Sequence, residues 1–267
     1  MYAIDFEYNN KKLSDFGMII CSFDGSNGVE TVSSGSDITF NQFKPSGSNN
    51  FYLCSCGYEE SFTTTFQICK NPCRNNQEEM SISSIELSSI QRWLSRKKYK
   101  KFKIIQKGYE DIYWNATFSW KQINLGDCIG LELTLFTDAP YAYKENLHLE
   151  FNASGNTNFT IYSVSDEIGF INPYVTIQIL AEGDLTIKNS MDDYYTQIKN
   201  CTYLEEIKLD CKNKLIFTSN NSHNISNDFN FIFPKIYNSE EENENVYTLS
   251  LPCNVSIDYS PIIKVGL

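Results

Sequence analysis

Four cysteines lie close enough along the chain to invite a metal test. Cys54-Ser55-Cys56 and Cys69-Lys70-Asn71-Pro72-Cys73 together offer the four thiolates of a tetrahedral zinc site. Residues two apart on a strand share a face, so Cys54 and Cys56 can chelate from one side. Pro72 favours a turn that presents Cys69 and Cys73 from the other. These spacings are not the paired two-residue gaps usual for zinc, and a free Cys is also a common small core residue. Two acidic doublets, Asp192-Asp193 and Glu205-Glu206, could supply a glycosidase-like acid and base if folding brought them together. Adjacent strand residues point to opposite faces, so solvated turn acids are the simpler reading. Only His148 and His223 are present, which excludes a histidine-rich metal site. There is no Gly-x-Ser-x-Gly elbow, phosphate-binding Gly-rich loop or His-Glu-x-x-His. No catalytic residue, metal ligand or cofactor is assigned, and the chain is expected not to be an enzyme.

The sharpest charged feature is the basic run from Arg92 to Lys103, on a chain whose net charge is −11. One reading is a contact between subunits, with Arg92, Arg96, Lys97 and Lys98 meeting the acidic surface of the next copy. A second is nucleic-acid contact, because Tyr99 and Phe102 interleave the cations. A third is a solvated helix end, where cations complement the negative end of the dipole. An acidic chain is a poor general binder of nucleic acid, since neutralising phosphate needs a cationic surface.

A short helix must position that run. Ser83 and Glu86 have capping-box spacing, and Leu87, Ile90 and Leu94, with Trp93 beside them, fall on one helical face. Strand-like text surrounds it. Phe6–Leu13 reads as a strand with a turn at its end, followed by Phe16–Phe23, a turn at Asp24–Gly28 and Ile38–Phe43. Lys44–Asn50 breaks the pattern, and Phe51–Cys56 with Phe62–Cys69 reads as a hairpin. The polar stretch Asn71–Glu79 leads into the helix. After the helix come strands at Tyr113–Trp120 and Cys128–Phe136, closed by the turn Thr137–Ala142. Further short strands are expected at Leu147–Phe151, Thr157–Val164, Tyr174–Leu180, Asp184–Lys188, Thr196–Asn200, Glu205–Asp210, Lys214–Thr218, Asn230–Ile232 and Tyr247–Leu251. Many short strands with little helix indicate β-sandwiches. Glu240–Asn245 reads as an exposed acidic loop.

The 267 residues can bury a sizeable core and suffice for two domains. Hydrophobic residues at 41% and aromatics at 14% indicate a folded chain, and the Tyr, Phe, Ile and Thr content favours strands. The start lacks the basic and apolar regions of a secretory leader, and no run approaches the roughly 18 apolar residues of a membrane span. Synthesis in a reducing cytoplasm is expected, with the nine cysteines as free thiols.

The order of several short motifs resembles the distal tail proteins (Dit) of long-tailed bacteriophages and prophages. The matching text is Phe16-Gly17-Met18-Ile19-Ile20, Glu86 through Arg92-Trp93-Leu94, and Gly130–Phe136 leading into Asp138-Ala139-Pro140-Tyr141. It continues through Glu167–Pro173, Asp228-Phe229-Asn230 and Tyr259-Ser260-Pro261. The resemblance implies a mainly β protein in two parts. Residues 1–142 would form a tail-tube-like β-sandwich with one packed helix, assembling as a homohexameric ring. Residues 143–267 would form an outer galectin-like or carbohydrate-module-like β-sandwich, and Tyr259–Leu267 could return to the first domain. Such a ring joins the tail tube protein to the tail-tip protein and leaves a channel through which DNA passes without specific binding. Receptor-binding or baseplate machinery, or a host-surface glycan, lies outward. The implied location is the virion, assembled in the bacterial host cytoplasm, with no membrane contact. The rival is a lectin-like module whose Tyr162, Phe170, Tyr174, Tyr194 and Tyr195 stack on sugar faces, although burial in a sandwich core explains these aromatics more simply.

Overall fold

A computed structural model describes residues 3–23, 35–74 and 80–266. The turn expected at Asp24–Gly28 and residues 75–79 of the polar stretch lie outside them. Strands hold 51% of the chain and helices 8%, which makes the protein mainly β. It divides into two compact units, Met1–Tyr143 with Ile263–Leu267, and Lys144–Ile262.

The first unit opens with β1 (Phe6–Tyr8) and β2 (Lys11–Lys12), joined by Asn9 and Asn10 at φ 49° and 62°. Asn tolerates this left-handed backbone, which suits a tight hairpin turn. A short 3₁₀ turn, Leu13–Phe16, precedes β3 (Met18–Cys21), so Phe16 belongs to the turn rather than to the strand expected there. Next come β4 (Ile38–Phe43), β5 (Tyr52–Tyr58), β6 (Thr63–Lys70), α1 (Ser84–Leu94), β7 (Lys100–Ile104), β8 (Ile112–Leu125), β9 (Asp127–Thr137) and β10 (Ala142–Lys144).

The main sheet runs β2-β1-β7-β8-β9-β6-β3, with β10 added beside β8. The expected pairing of Phe51–Cys56 with Phe62–Cys69 does not occur. Instead β5 pairs with β4, and β6 is held between β3 and β9. Phe66 and Ile68 draw β6 into the core, whereas β4 and β5 carry no buried residue, so Lys44–Asn50 is their hairpin loop rather than a break.

The sheet curls on itself. Phe6 on β1 and Phe66 on β6 lie four strands apart, about 19 Å in a flat sheet, yet their ring centroids are 5.6 Å apart. The Ile20 amide of β3 also donates to the Ile4 carbonyl at 3.0 Å, beside β1. One continuous sheet thus supplies both layers around a core of Phe6, Tyr8, Phe66, Phe102, Trp114 and Phe118.

α1 packs on this core because Ile90, Trp93 and Leu94 are buried. The Trp93 ring stacks between Phe6 (5.5 Å) and Phe16 (4.5 Å), and its indole N–H donates to the Tyr8 carbonyl at 2.8 Å. The capping box forms: the Ser83 amide donates to Glu86 Oε2 at 2.8 Å, and the Glu86 amide donates to Ser83 Oγ at 3.4 Å. Glu86 also pairs with Lys70 of β6 at 2.9 Å. Burial opposes ionisation of Glu86, but Lys70 and Ser83 more than offset it and hold the carboxyl below its ordinary pKa.

The second unit contains β11 (Leu147–Ser154), β12 (Thr157–Tyr162), β13 (Gly169–Ile171), β14 (Tyr174–Ile179), β15 (Gly183–Asn189), β16 (Tyr195–Cys201), β17 (Glu206–Asp210) and β18 (Leu215–Thr218). A single helical turn α2 (Ile225–Asp228), β19 (Ile236–Asn238), β20 (Glu244–Leu249) and β21 (Pro252–Tyr259) follow, and the last strand, β22 (Ile262–Ile263), belongs to the first sheet, beside β10. A five-stranded sheet, β11-β21-β14-β17-β18, and a four-stranded sheet, β12-β20-β15-β16, share one core that includes Val175, Ile177, Leu185, Ile198, Ile207 and Val255. Phe151, Phe159 and Tyr247 stack in series at 4.1 and 5.1 Å.

Asn230–Ile232 is not a strand. Phe231 has φ 58°, and the isolated bridge nearby is made by the preceding residue, Phe229, to Ile198. β21 lies outside the expected series, although it sits inside the five-stranded sheet. The acidic loop is shorter than expected, because Glu244 begins β20 and Asn245 is fully buried.

Candidate functional site

The basic run is built on the end of α1. The Arg92 Nε donates to the Ser88 carbonyl at 3.4 Å, and the Arg96 Nε donates to the Trp93 carbonyl at 3.1 Å. The Arg96 guanidinium therefore satisfies a carbonyl that the ending helix leaves open, whereas Arg92 folds back on the turn before it. Thr117 of β8 donates its hydroxyl to the Arg96 carbonyl at 3.0 Å, which fixes the turn to the sheet. Lys97 and Lys98 follow in a bend, and Arg92, Arg96, Lys97 and Lys98 are all exposed. On β7, Phe102 and Ile104 enter the core while Lys101 and Lys103 point away, and the Lys101 ammonium lies 4.2 Å from the Tyr113 ring centroid. Helix-end stabilisation and an exposed cationic surface thus coexist in the same residues.

A second surface had no place in the sequence expectations. Among the described residues the β4–β5 hairpin pairs only with itself, from Ile38 opposite Tyr58 to Phe43 opposite Tyr52. Ile38, Phe40, Phe43, Phe51, Tyr52 and Leu53 are all exposed, at 44–63% of their full surface. A two-stranded hairpin is marginal in water without a further surface to pack on. The sequence signal was available: Tyr52 and Leu53 are adjacent, so a strand through them is apolar on both faces.

The cysteines do not converge. Cys54, Cys56 and Cys73 are exposed and Cys69 is buried on β6. Among the described residues no group of His, Cys, Asp or Glu is placed to hold a metal.

Within the acidic doublets, Glu205 and Asp192 serve as local acceptors. Glu205 is sealed, with no exposed side-chain surface. Its Oε1 accepts from the Thr218 hydroxyl at 2.5 Å and faces His223 Nδ1 at 2.6 Å. Its Oε2 accepts from the Thr202 amide at 2.9 Å and hydroxyl at 3.1 Å. Burial pushes the Glu205 pKa up, but these donors more than offset it and leave the carboxyl below its ordinary value. His223 Nε2 faces Asp228 Oδ2 at 3.3 Å. A carboxylate so enclosed ties the loop after β18 to the start of β17 and cannot reach a glycosidic bond. Asp192 accepts from the Tyr237 hydroxyl at 2.6 Å and the Tyr194 amide at 3.0 Å, while Asp193 is exposed. His148 is exposed on β11, between Asp258 (2.9 Å) and Glu150 (3.2 Å), and its hydrogen bonds to them raise its pKa.

The aromatics expected in the second core are on the surface instead. Tyr162, Phe170, Tyr174, Tyr194 and Tyr195 are all exposed, and Phe229, Phe233, Tyr247 and Tyr259 fill the interior. Alternation explains the difference: on β14, Val175, Ile177 and Ile179 face inward, which turns Tyr174 out. Tyr162 and Tyr195 lie on opposite edge strands of the four-stranded sheet. Phe170 and Tyr237 are neighbours, their ring centroids 5.9 Å apart, with the Lys235 ammonium 4.6 Å from Phe170.

Two family models match the chain. A phage tail protein N-terminal domain covers residues 1–139, and a phage tail C-terminal domain covers residues 141–259. No curated protein matches the sequence. Among solved structures, the fold is similar to the Dit protein (gp 19.1) of phage SPP1, described as a paradigm of the hub adsorption apparatus of phages infecting Gram-positive bacteria. The TM-score is 0.68 at 8% identity, over 96% of this chain and 98% of that one.

Proposed function

The chain belongs to a family of phage tail proteins, and from that premise we propose that it is the distal tail protein of its particle. Six copies close a ring that continues the tail tube on one face and meets the tail-tip protein on the other. DNA passes through the bore without specific binding, and the second unit lies outward toward receptor-binding or baseplate components. The ring assembles in the host cytoplasm and ends in the virion. The work is mechanical, and no residue needs to be catalytic.

The observation that carries this reading is the β4–β5 hairpin. It is apolar on both faces, exposed along most of its length and, among the described residues, paired in no larger sheet. A neighbouring copy supplies the missing surface, and a contact between unlike patches closes into a ring when its rotation closes. Arg92, Arg96, Lys97 and Lys98 add a cationic face suited to an acidic protomer, where charge sets register and the rate of encounter.

The test is native mass measurement of the full chain, alone and with tail tube protein, for the unaltered chain and for Phe40→Ser/Phe43→Ser. A six-copy species lost in the variant, with the fold retained by circular dichroism, supports the ring. A ring of the same stoichiometry in the variant removes the hairpin from the contact. Tail particles that lack the chain between tube and tip overturn the reading altogether.

The exposure of Tyr162, Phe170, Tyr174, Tyr194 and Tyr195 favours a second reading, in which the outer unit also attaches to a host-surface glycan. Glycan-array binding by the full chain that weakens in Phe170→Ala or Tyr194→Ala supports attachment. Silence leaves the scaffold role alone.

A further inference from the structure

The terminal strand of the first sheet carries a thiol that faces another. β3 pairs with β6 in a register that sets Ile19 opposite Cys69 and Cys21 opposite Gln67. Residues two apart share a face, so Cys21 and Cys69 are diagonal neighbours on one side of the sheet. On that shared face the two thiols influence each other's ionisation, which raises the pKa of Cys21 and lowers that of Cys69. Diagonal Cα atoms are about 7–8 Å apart, just above the usual span of a disulfide, so closure needs a small strand movement. β3 is held by β6 on one side and by the Ile20 amide on the Ile4 carbonyl on the other, so the movement falls at Cys21, its last residue.

Access to the two sulfurs differs. Gly130 of β9 lies opposite Cys69, and the Phe23 ring packs so closely on Gly130 that a Cβ there would collide with it. Phe23 is held in place by its amide, which donates to Gln67 Oε1 at 2.7 Å. Cys69 is consequently buried on a face where strand residues usually meet solvent, whereas Cys21 is partly exposed.

We propose that Cys21 and Cys69 are an oxidisable pair that closes to an intramolecular disulfide when the folded protein meets a low-molecular-weight disulfide. One of the two thiols gives up its proton, attacks one sulfur of the oxidant and releases the first small thiolate. The other then loses its proton and attacks the protein sulfur of that mixed disulfide, forming the S–S bond and releasing the second. The protein gives up two electrons and two protons, and the oxidant becomes two small thiols. The new bond closes a loop that contains the whole β4–β5 hairpin and fixes the end strand of the sheet. Such chemistry is silent in a reducing cytoplasm and available outside it.

The experiment uses the reduced full chain, incubated with oxidised glutathione, quenched with an alkylating agent and mapped by peptide mass spectrometry. The expected result is a linked peptide pair carrying Cys21 and Cys69. It comes with a rise of roughly 5 °C in unfolding midpoint that dithiothreitol reverses and Cys21→Ser lacks. Recovery of Cys21 alkylated, held as a mixed disulfide with glutathione, or joined to a different cysteine overturns the proposal. The mapping reads the unaltered protein, so it stands even if the serine variant folds poorly, and it does not depend on ring formation.

Discussion

At the scale of single residues, Trp93 and Glu205 have the largest consequences. Trp93 combines two ring stacks with a buried hydrogen bond to Tyr8, so its loss removes packing and leaves a carbonyl without its donor. Trp93→Ala is expected to destabilise the first unit by about 3–5 kcal/mol, measured by denaturant unfolding. Glu205 contributes through pH. Its pKa in the folded protein lies below the unfolded value, so its stabilisation is present above the unfolded carboxylate value and is lost as pH falls through the folded one. The unfolding midpoint of the second unit should drop in acid, and Glu205→Gln should flatten that drop. His148 has the opposite sign. Asp258 and Glu150 raise its pKa, so an NMR titration should place its midpoint above the ordinary histidine value, and Asp258→Asn should lower it.

At the scale of elements, α1 and the β4–β5 hairpin show how sequence text differs in what it specifies. The helix was legible because its signals are local: a capping box, apolar residues on one face, and cations at the far end. Ser83→Ala should cost about 1 kcal/mol, read from the thermal midpoint of the first unit. The strands expected at Tyr113–Trp120 and Cys128–Phe136 extend at both ends into β8 and β9, which join as a hairpin at Gly126, whose φ of 78° suits a residue without a side chain. The β4–β5 pairing was not legible. Each strand could pair with several others, and the choice depended on which of them the core would claim. β21 is a different case, since Cys253, Val255, Ile257 and Tyr259 alternate with polar residues in the sequence itself.

At the scale of the whole chain, the first unit is completed by the last residues. Ile263 and Val265 pack against its core, and the Tyr109 hydroxyl donates to the Gly266 carbonyl at 3.3 Å. Removal of residues 263–267 should lower the unfolding transition of the first unit and leave that of the second in place, a separation that scanning calorimetry resolves.

The chain by itself determined that the protein is mainly β and that one capped helix would carry an exposed basic run, and the order of its short motifs resembled the phage tail family to which it belongs. Periodicity and capping act between residues a few positions apart, and those relations are written in the sequence. Which strands pair was decided only in three dimensions, as was the outward turn of Tyr174 and Phe170 and the enclosure of Glu205 by Thr202, Thr218 and His223. Those outcomes follow from competition among distant segments for one buried volume, and a short stretch of sequence carries no record of its competitors.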